Sequence, residues 1–190
     1  MGFVDVPDQD LVQRCRSNRA ELQDSFRALY ERHSGAAFHY LSALVGRERA
    51  LDALQETFLR VYRNLDRYDS GRSFRSWVLG VARNVGLDTI RREGVRATSP
   101  LGHETALDVH GPAEEASRRE QDTLLRQSVC ELPPDQRAVL LLRQIEGLGY
   151  KEIAATLGIA ERTAQYRMRR AVERLAGSLR RRGLIPGGAE

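Results

Sequence analysis

Along the first half of this chain apolar residues recur at steps of three and four, and no stretch sustains the alternation of a half-buried strand. Leu22, Phe26, Leu29, Tyr30, His33, Ala37, Leu41 and Leu44 fall on one helical face. Residues 49–65 repeat the pattern through Leu51, Leu54, Phe58, Val61, Tyr62 and Leu65. A further helix is predicted after "DSGRS", capped by Ser73, burying Phe74, Trp77, Val78, Val81 and Val85 and running toward Arg92. A shorter helix near residues 8–17 precedes them.

From Gly94 to about Ala116 the chain is rich in Gly, Pro, Ser and Thr, carries few large apolar residues and has no helical stripe, which predicts a linker. Counted from Arg96 and fully extended, it would reach about 70 Å at about 3.3 Å per residue, enough to hold two domains far apart. The pattern resumes at Leu124, Leu125, Val129 and Leu132 and breaks at Pro133-Pro134. Asp135 is expected to cap a helix ending at Gly147, "YKEIAATLG" reads as a short helix closed by Gly158, and residues 161–176 bury Ala164, Met168, Ala171, Val172 and Leu175. The expected fold is all-α: two small helical domains over 8–95 and 121–182, a flexible linker over 96–120 and a tail over 183–190.

Two helices around a glycine turn form a helix-turn-helix, whose second helix lies in the DNA major groove. With the apolar face turned inward, Arg162, Thr163, Gln165, Tyr166, Arg169 and Arg170 point away from the core. Arginine pairs bidentately with guanine, glutamine with adenine, and Thr or Tyr reaches phosphates or the thymine methyl. Residues 161–182 carry eight arginines against two glutamates, a concentrated positive field. Ala160 stands at the cap of that helix, where Ser, Thr or Asp is better by about 1 kcal/mol.

Net charge is +4, distributed as +2 over residues 1–95, −3 over 96–116 and +5 over 117–190. The 41% hydrophobic content is that of a folded soluble chain, and no apolar run reaches membrane-spanning length. The start of the chain lacks the pattern of a secretory signal, which places the protein in the cytoplasm. Cys15 and Cys130 form no CxxC pair and are expected to be reduced packing residues, while the histidines show no metal-ligand spacing. No metal or cofactor is expected. No glycine-rich phosphate loop or nucleophile with a placed base is present, so neither an enzyme nor a small-molecule substrate is predicted.

Two stretches carry a resemblance that the helix-turn-helix alone does not. "DALQETFLRVYRNLDRYD" with "SFRSWVLGVARNVGLDTIRR" resembles region 2 of bacterial sigma-70 family initiation factors, and "ELPPDQRAVLLLRQIEGLGYKEIAATLGIAERTAQYRMRRAVERL" resembles their region 4. The order matches, and the short spacer has no room for region 3, as in the extracytoplasmic-function (ECF) group. The similarity covers roughly residues 10–95 and 124–180.

That resemblance implies binding to core RNA polymerase and to promoter DNA, DNA melting, and control by an anti-sigma factor. It gives core docking to Asp52, Gln55, Glu56 and Phe58, with core packing as the competing role for Phe58. Recognition and melting of the minus-ten element fall to Arg72, Ser73, Arg75, Arg83, Asn84, Arg91 and Arg92. Trp77 could stack on an unpaired base, though its spacing favours the core, and Asp88 is expected to pair with an arginine. The minus-thirty-five element would be read by Arg162, Thr163, Gln165, Tyr166, Arg169 and Arg170. Ala160 and the pair Gln165-Tyr166 depart from the common family pattern, which bears on the promoter sequence read. Glu104, Asp108, Glu114 and Glu115 of the linker are candidates to imitate nucleic-acid charge in a polymerase channel. The alternatives are a helix-turn-helix regulator acting on duplex DNA without polymerase docking, and a protein-binding adaptor.

Overall fold

The apolar stripes fold as eight α-helices among the described residues of the computed structural model, which are 6–92 and 112–186 without the side chains of 112–119. Helices α1 (Asp8–Ser17), α2 (Leu22–Val45), α3 (Arg47–Arg63) and α4 (Phe74–Arg92) form an N-terminal set, with a 3-10 turn at Leu65–Arg67. Helices α5 (Pro112–Cys130), α6 (Pro134–Gln144), α7 (Tyr150–Leu157) and α8 (Glu161–Arg181) form a C-terminal set. No strand occurs among the described residues. The linker acids Glu104 and Asp108, and the side chains of Glu114 and Glu115, lie outside what is described.

Three expectations about the helices need correction. Helix α5 begins at Pro112, well inside the predicted linker. Proline suits a first helical turn, and the following "AEEASRRE" is rich in strong helix formers, so propensity builds this turn where no apolar stripe announces it. Asp135 is not the cap of α6: Pro133 holds that position, Pro134 starts the helix, and Asp135 in the first turn pairs with Arg167 of α8 at 3.0 Å. The inward faces of α3 and α8 are narrower than the spacing implied, leaving Leu51 59%, Tyr62 47% and Val172 48% exposed.

The N-terminal core packs Leu29, Leu41, Val61, Phe74 and Val78, all essentially inaccessible to water. Helix α1 is tied to it at both ends. Asp8 accepts hydrogen bonds from Arg32 and from His33 Nε2, the latter at 2.8 Å. Arg16 donates to the carbonyls of Leu65 and Tyr68 at 2.7 and 2.6 Å, satisfying backbone oxygens where the 3-10 turn ends. Cys15 is buried, and burial pushes its thiol up to about 11. Cys130 is exposed, contrary to the packing role expected of it.

Burial lowers the pKa of His33; Asp8 opposes that shift, while Arg32 and Arg75 reinforce it. The unfolded chain therefore binds a proton more readily than the folded one as pH falls through about 6.5. Stability is lost in that direction, so the melting temperature should drop between pH 7.5 and 5.5. In His33→Gln, which keeps a donor toward Asp8, the drop should be smaller. Equal drops in the two proteins would contradict this account.

In the C-terminal set Val139, Leu142, Ile153, Ala164 and Ala171 fill the core. A polar seam joins α5 to α8: Ser178 meets Ser128 at 3.0 Å and donates to Glu131 at 2.8 Å, and Arg182 donates to Gln127 at 2.7 Å. The Ser178 hydroxyl and Arg182 hold the Glu131 carboxyl below its ordinary range.

The two sets, which a flexible linker would allow to separate, are packed together. Arg137 of α6, only 5% exposed, donates to the Leu44 carbonyl on α2 at 2.9 Å and to the carbonyls of Cys130 and Leu132. Helix α4 lies against α7, so closely that a Cβ on Gly80 would sit 2.7 Å from the Thr156 carbonyl oxygen.

Candidate nucleic-acid and protein interfaces

Helix α7 ends at Gly158, whose left-handed backbone (φ 64°, ψ 36°) reverses the chain without a Cβ penalty. Ile159 packs against the core and Ala160 follows with extended dihedrals (φ −68°, ψ 146°). The first turn of α8 has no side-chain cap: the Ala160 carbonyl accepts from Thr163 and Ala164, while the earliest amides stay open to an outside acceptor such as a phosphate. At the other end of α7's turn the Gly149 N–H donates to Glu152 at 2.8 Å.

Burial of Ala164, Met168 and Ala171 turns the opposite face of α8 to solvent. Arg162, Gln165, Tyr166 and Arg169 are exposed at steps of three and four, forming one continuous stripe. The Arg169 guanidinium stands 5.6 Å from the Tyr166 ring centre, a stacking contact that orients both. Thr163 is half-buried at the edge of the stripe, and Arg170 is drawn aside by Glu173 at 2.7 Å. Arg162, Gln165 and Arg169 are therefore the side chains best placed to reach base edges.

The second candidate surface is the loop before α4 and the helix itself. Asp69 closes the loop by accepting from the Gly71 N–H at 2.9 Å, and the Tyr68 hydroxyl donates to the Arg72 carbonyl. The Ser73 carbonyl accepts the Trp77 N–H at 3.1 Å, which puts Ser73 at the helix cap as expected. Arg72, Ser73, Arg75 and Asn84 are exposed; Arg72, Ser73 and Asn84 border one side of α4, and Arg75, half a turn around the helix from Asn84, pairs with Glu146. Trp77 is half-buried against Tyr68 and Phe74, with ring centres 5.3 and 5.6 Å away, and still lines a cavity of about 380 Å³ with Arg72, Ser73, Asn84, Lys151 and Thr156. Arg83 does not line this cavity. It is half-buried beside Tyr40, Asp135 and Arg167, and burial lowers its pKa. Arg91 and Arg92 are exposed at the far end of α4, with Arg91 paired to Asp88 at 3.1 Å.

The third surface is the outer face of α3. Asp52 and Gln55 are exposed, and Glu56 is held by Arg60 at 2.6 Å. Arg60 also reaches Asp88 at 3.1 Å, so Glu56, Arg60, Asp88 and Arg91 form a chain of ion pairs from α3 to α4. The expected arginine partner of Asp88 is thus two arginines. Phe58 does not line this face: it is 4% exposed and packs edge-on to Phe26 and Tyr30, supporting the surface from beneath. The face instead shows Leu51, Leu59 and Tyr62, each about half exposed, beside Tyr30. Leu59 stands one turn beyond Gln55 and outside the apolar stripe, the sequence signal that could have marked it.

Among the described residues no group of three or more His, Cys, Asp and Glu could hold a metal, and no helix is long and apolar enough to cross a membrane. A helix-turn-helix with a basic reading face, coupled to a second helical body with an arginine-edged loop and a mixed apolar-acidic helix face, defines a DNA-binding protein that also docks on another protein. The sigma-70 region 2 family matches residues 29–96 and the sigma-70 region 4 family matches residues 122–175. Among curated proteins, the RNA polymerase sigma factor CarQ of Myxococcus xanthus is 32% identical over 80% of this chain and 88% of its own length. The ECF RNA polymerase sigma factor SigM of Mycobacterium tuberculosis is 31% identical over 93% of this chain and 88% of its own. Among solved structures, CnrH in complex with the cytosolic domain of CnrY superposes with a TM-score of 0.63 at 25% identity, covering 90% of this chain and 96% of that one. The chain belongs to the ECF group of sigma-70 family RNA polymerase sigma factors, the proteins that direct RNA polymerase to specific promoters for initiation.

Proposed function

We propose that the three surfaces divide the work of initiation. The face of α3, with Asp52, Gln55 and Glu56, docks on core RNA polymerase. Leu51, Leu59 and Tyr62 supply the apolar area that charged groups alone do not give a stable interface. The loop and first turns of α4 capture the opened minus-ten strand: Arg72 and Arg75 attract phosphates, Ser73 and Asn84 offer hydrogen bonds, and the cavity beside Trp77 offers a stacking wall. Arg91 and Arg92 extend the positive edge along the DNA. Arg83 would join them only in a rearranged state, because it now serves the packing between the two halves. Helix α8 reads the minus-thirty-five duplex through Arg162, Gln165 and Arg169, while Thr163, Tyr166 and Arg170 contact the backbone or the thymine methyl.

The observation that carries this reading is the separation of roles on the surface: one helix face mixes acid and apolar groups, and two others are edged with arginine. Residues 8–95 and 121–182 act as the two functional units. The protein itself is non-catalytic, since the bond-making step belongs to the polymerase, and it works in the cytoplasm where core enzyme and promoters are. The sigma factor RpoE of Bartonella quintana, a structural neighbour with TM-score 0.61 at 22% identity, was solved with the anti-sigma factor NepR, and an anti-sigma partner is proposed for this chain too. Hydrogen exchange tests the division. Core polymerase should protect α3, promoter duplex added to that complex should protect α8, and protection of α8 and α4 alone, with α3 unchanged, would favour a duplex-binding regulator.

A further inference from the structure

Helix α1 lies ahead of the sigma-70 region 2 match, which starts at residue 29, yet it grips the loop that leads into α4. The Arg16 guanidinium donates to the Leu65 carbonyl from Nε at 3.2 Å and from Nη2 at 2.7 Å, and the same Nη2 donates to the Tyr68 carbonyl at 2.6 Å. Two turns earlier on the same face of α1, Gln9 Nε2 donates to the Ser70 carbonyl at 2.8 Å. The carbonyls of Leu65, Tyr68 and Ser70 thus all turn toward α1, and the loop backbone cannot shift without breaking bonds to it. Helix α1 is itself fixed from below, where Asp8 accepts from Arg32 and His33 of α2.

Tyr68 carries this hold forward. Its carbonyl belongs to Arg16, its ring centre lies 5.2 Å from that of Phe74 and 5.3 Å from that of Trp77, and its hydroxyl donates to the Arg72 carbonyl. Arg72, Ser73 and Trp77 line the cavity already described. From this we infer that Arg16 and Gln9 are positioning residues for strand capture: they fix the 65–73 loop in the form that presents Arg72, Ser73 and Trp77, and so set which bases of the opened strand fit. The inference rests on the assignment of this loop to the minus-ten strand. A loop held in its binding form rejects bases that do not fit it, whereas a loose loop adapts to many sequences and orders itself at a cost in affinity. Lysine cannot replace Arg16 in this role, because one ammonium keeps the charge but lacks the planar fork that spans two carbonyls.

The test uses the full chain bound to core polymerase. Wild-type holoenzyme first enriches a single strand from a randomised pool, and the affinity for that strand relative to the starting pool is then measured for each variant. Arg16→Ala and Arg16→Lys should each lower this ratio by at least ~10-fold and Gln9→Ala by about threefold, with affinity for core polymerase unchanged. Gln9 is exposed, so Gln9→Ala removes a loop bond without burdening the fold and decides the matter should Arg16→Ala unfold early.

A ratio fully restored in Arg16→Lys would make Arg16 a phosphate contact and overturn its positioning role. Variants that melt earlier than wild type yet keep its ratio would reduce the α1 contacts to scaffolding, which also overturns the inference. Failure of the assignment itself would look different: wild-type holoenzyme would enrich no strand from the pool, and the inference would fall with it.

Discussion

Replacing Asp52 and Gln55 together by arginine should weaken binding of this protein to core RNA polymerase by at least ~30-fold, equivalent to about 2 kcal/mol. Both side chains are exposed on α3, and among the described residues neither is held by an ion pair or a side-chain hydrogen bond. The double variant should therefore melt within about 0.5 kcal/mol of wild type, as surface substitutions usually do. The contrast with Glu56 matters here. Glu56 anchors Arg60, which in turn reaches Asp88, so Glu56→Arg would disturb the α3–α4 joint as well as docking. Titration of labelled core enzyme with the Asp52→Arg/Gln55→Arg protein checks this, and an affinity equal to wild type would move the docking face elsewhere.

The second large effect is expected on α8. Alanine at Arg162 and Arg169 should each cost about 1–3 kcal/mol of promoter discrimination if each pairs with a base edge, and the double variant should lose specific initiation by at least ~100-fold. Arg170→Ala should cost less, because Glu173 already holds that guanidinium at 2.7 Å. The useful comparison is between promoter and unrelated DNA at fixed salt. An arginine that only neutralises phosphate weakens both alike, whereas one that reads a base weakens the promoter selectively. A uniform loss in all three variants would make the stripe an electrostatic anchor and transfer specificity to Gln165 and Tyr166. Loss of the ordered Arg169–Tyr166 stack in Tyr166→Ala would then be the next variant to examine.

Much of this was legible in the sequence because helices announce themselves through local spacing. The stripe from Leu22 to Leu44 became α2, the break at Pro133-Pro134 separated α5 from α6, and Gly158 set the turn before α8. What stayed hidden depended on three-dimensional neighbours. Nothing about Phe58 in isolation distinguishes an interface aromatic from a core one; only the approach of Phe26 and Tyr30 from α2 buries it. Leu51, Tyr62 and Val172 looked like core because their spacing matched the stripe, yet a helix packed on few neighbours buries a narrower face than its apolar residues would fill. The start of α5 was missed for the opposite reason: residues 112–120 form helix by propensity, with no stripe to reveal it.

The contacts between the halves were the least accessible of all. Arg75 and Glu146 are 71 residues apart, Arg137 and Leu44 are 93 apart, and no periodicity connects such pairs. Arg83 illustrates the consequence. Its place in the sequence pattern puts it with the DNA-facing arginines, while the fold half-buries it among Tyr40, Asp135 and Arg167. A basic residue near a reading surface can thus belong to the joint that positions the surface.

The central claim is that this chain, once bound to core polymerase, selects promoters. Adding the purified protein to sigma-free bacterial core polymerase with genomic fragments from its own source, and mapping transcript 5′ ends, tests it most directly. The account predicts starts that depend on the protein and share two upstream elements, the farther of which changes its preferred sequence in the Gln165→Ala variant. No protein-dependent starts, in a mixture where another sigma factor initiates normally and this protein's own core polymerase is supplied, would contradict it.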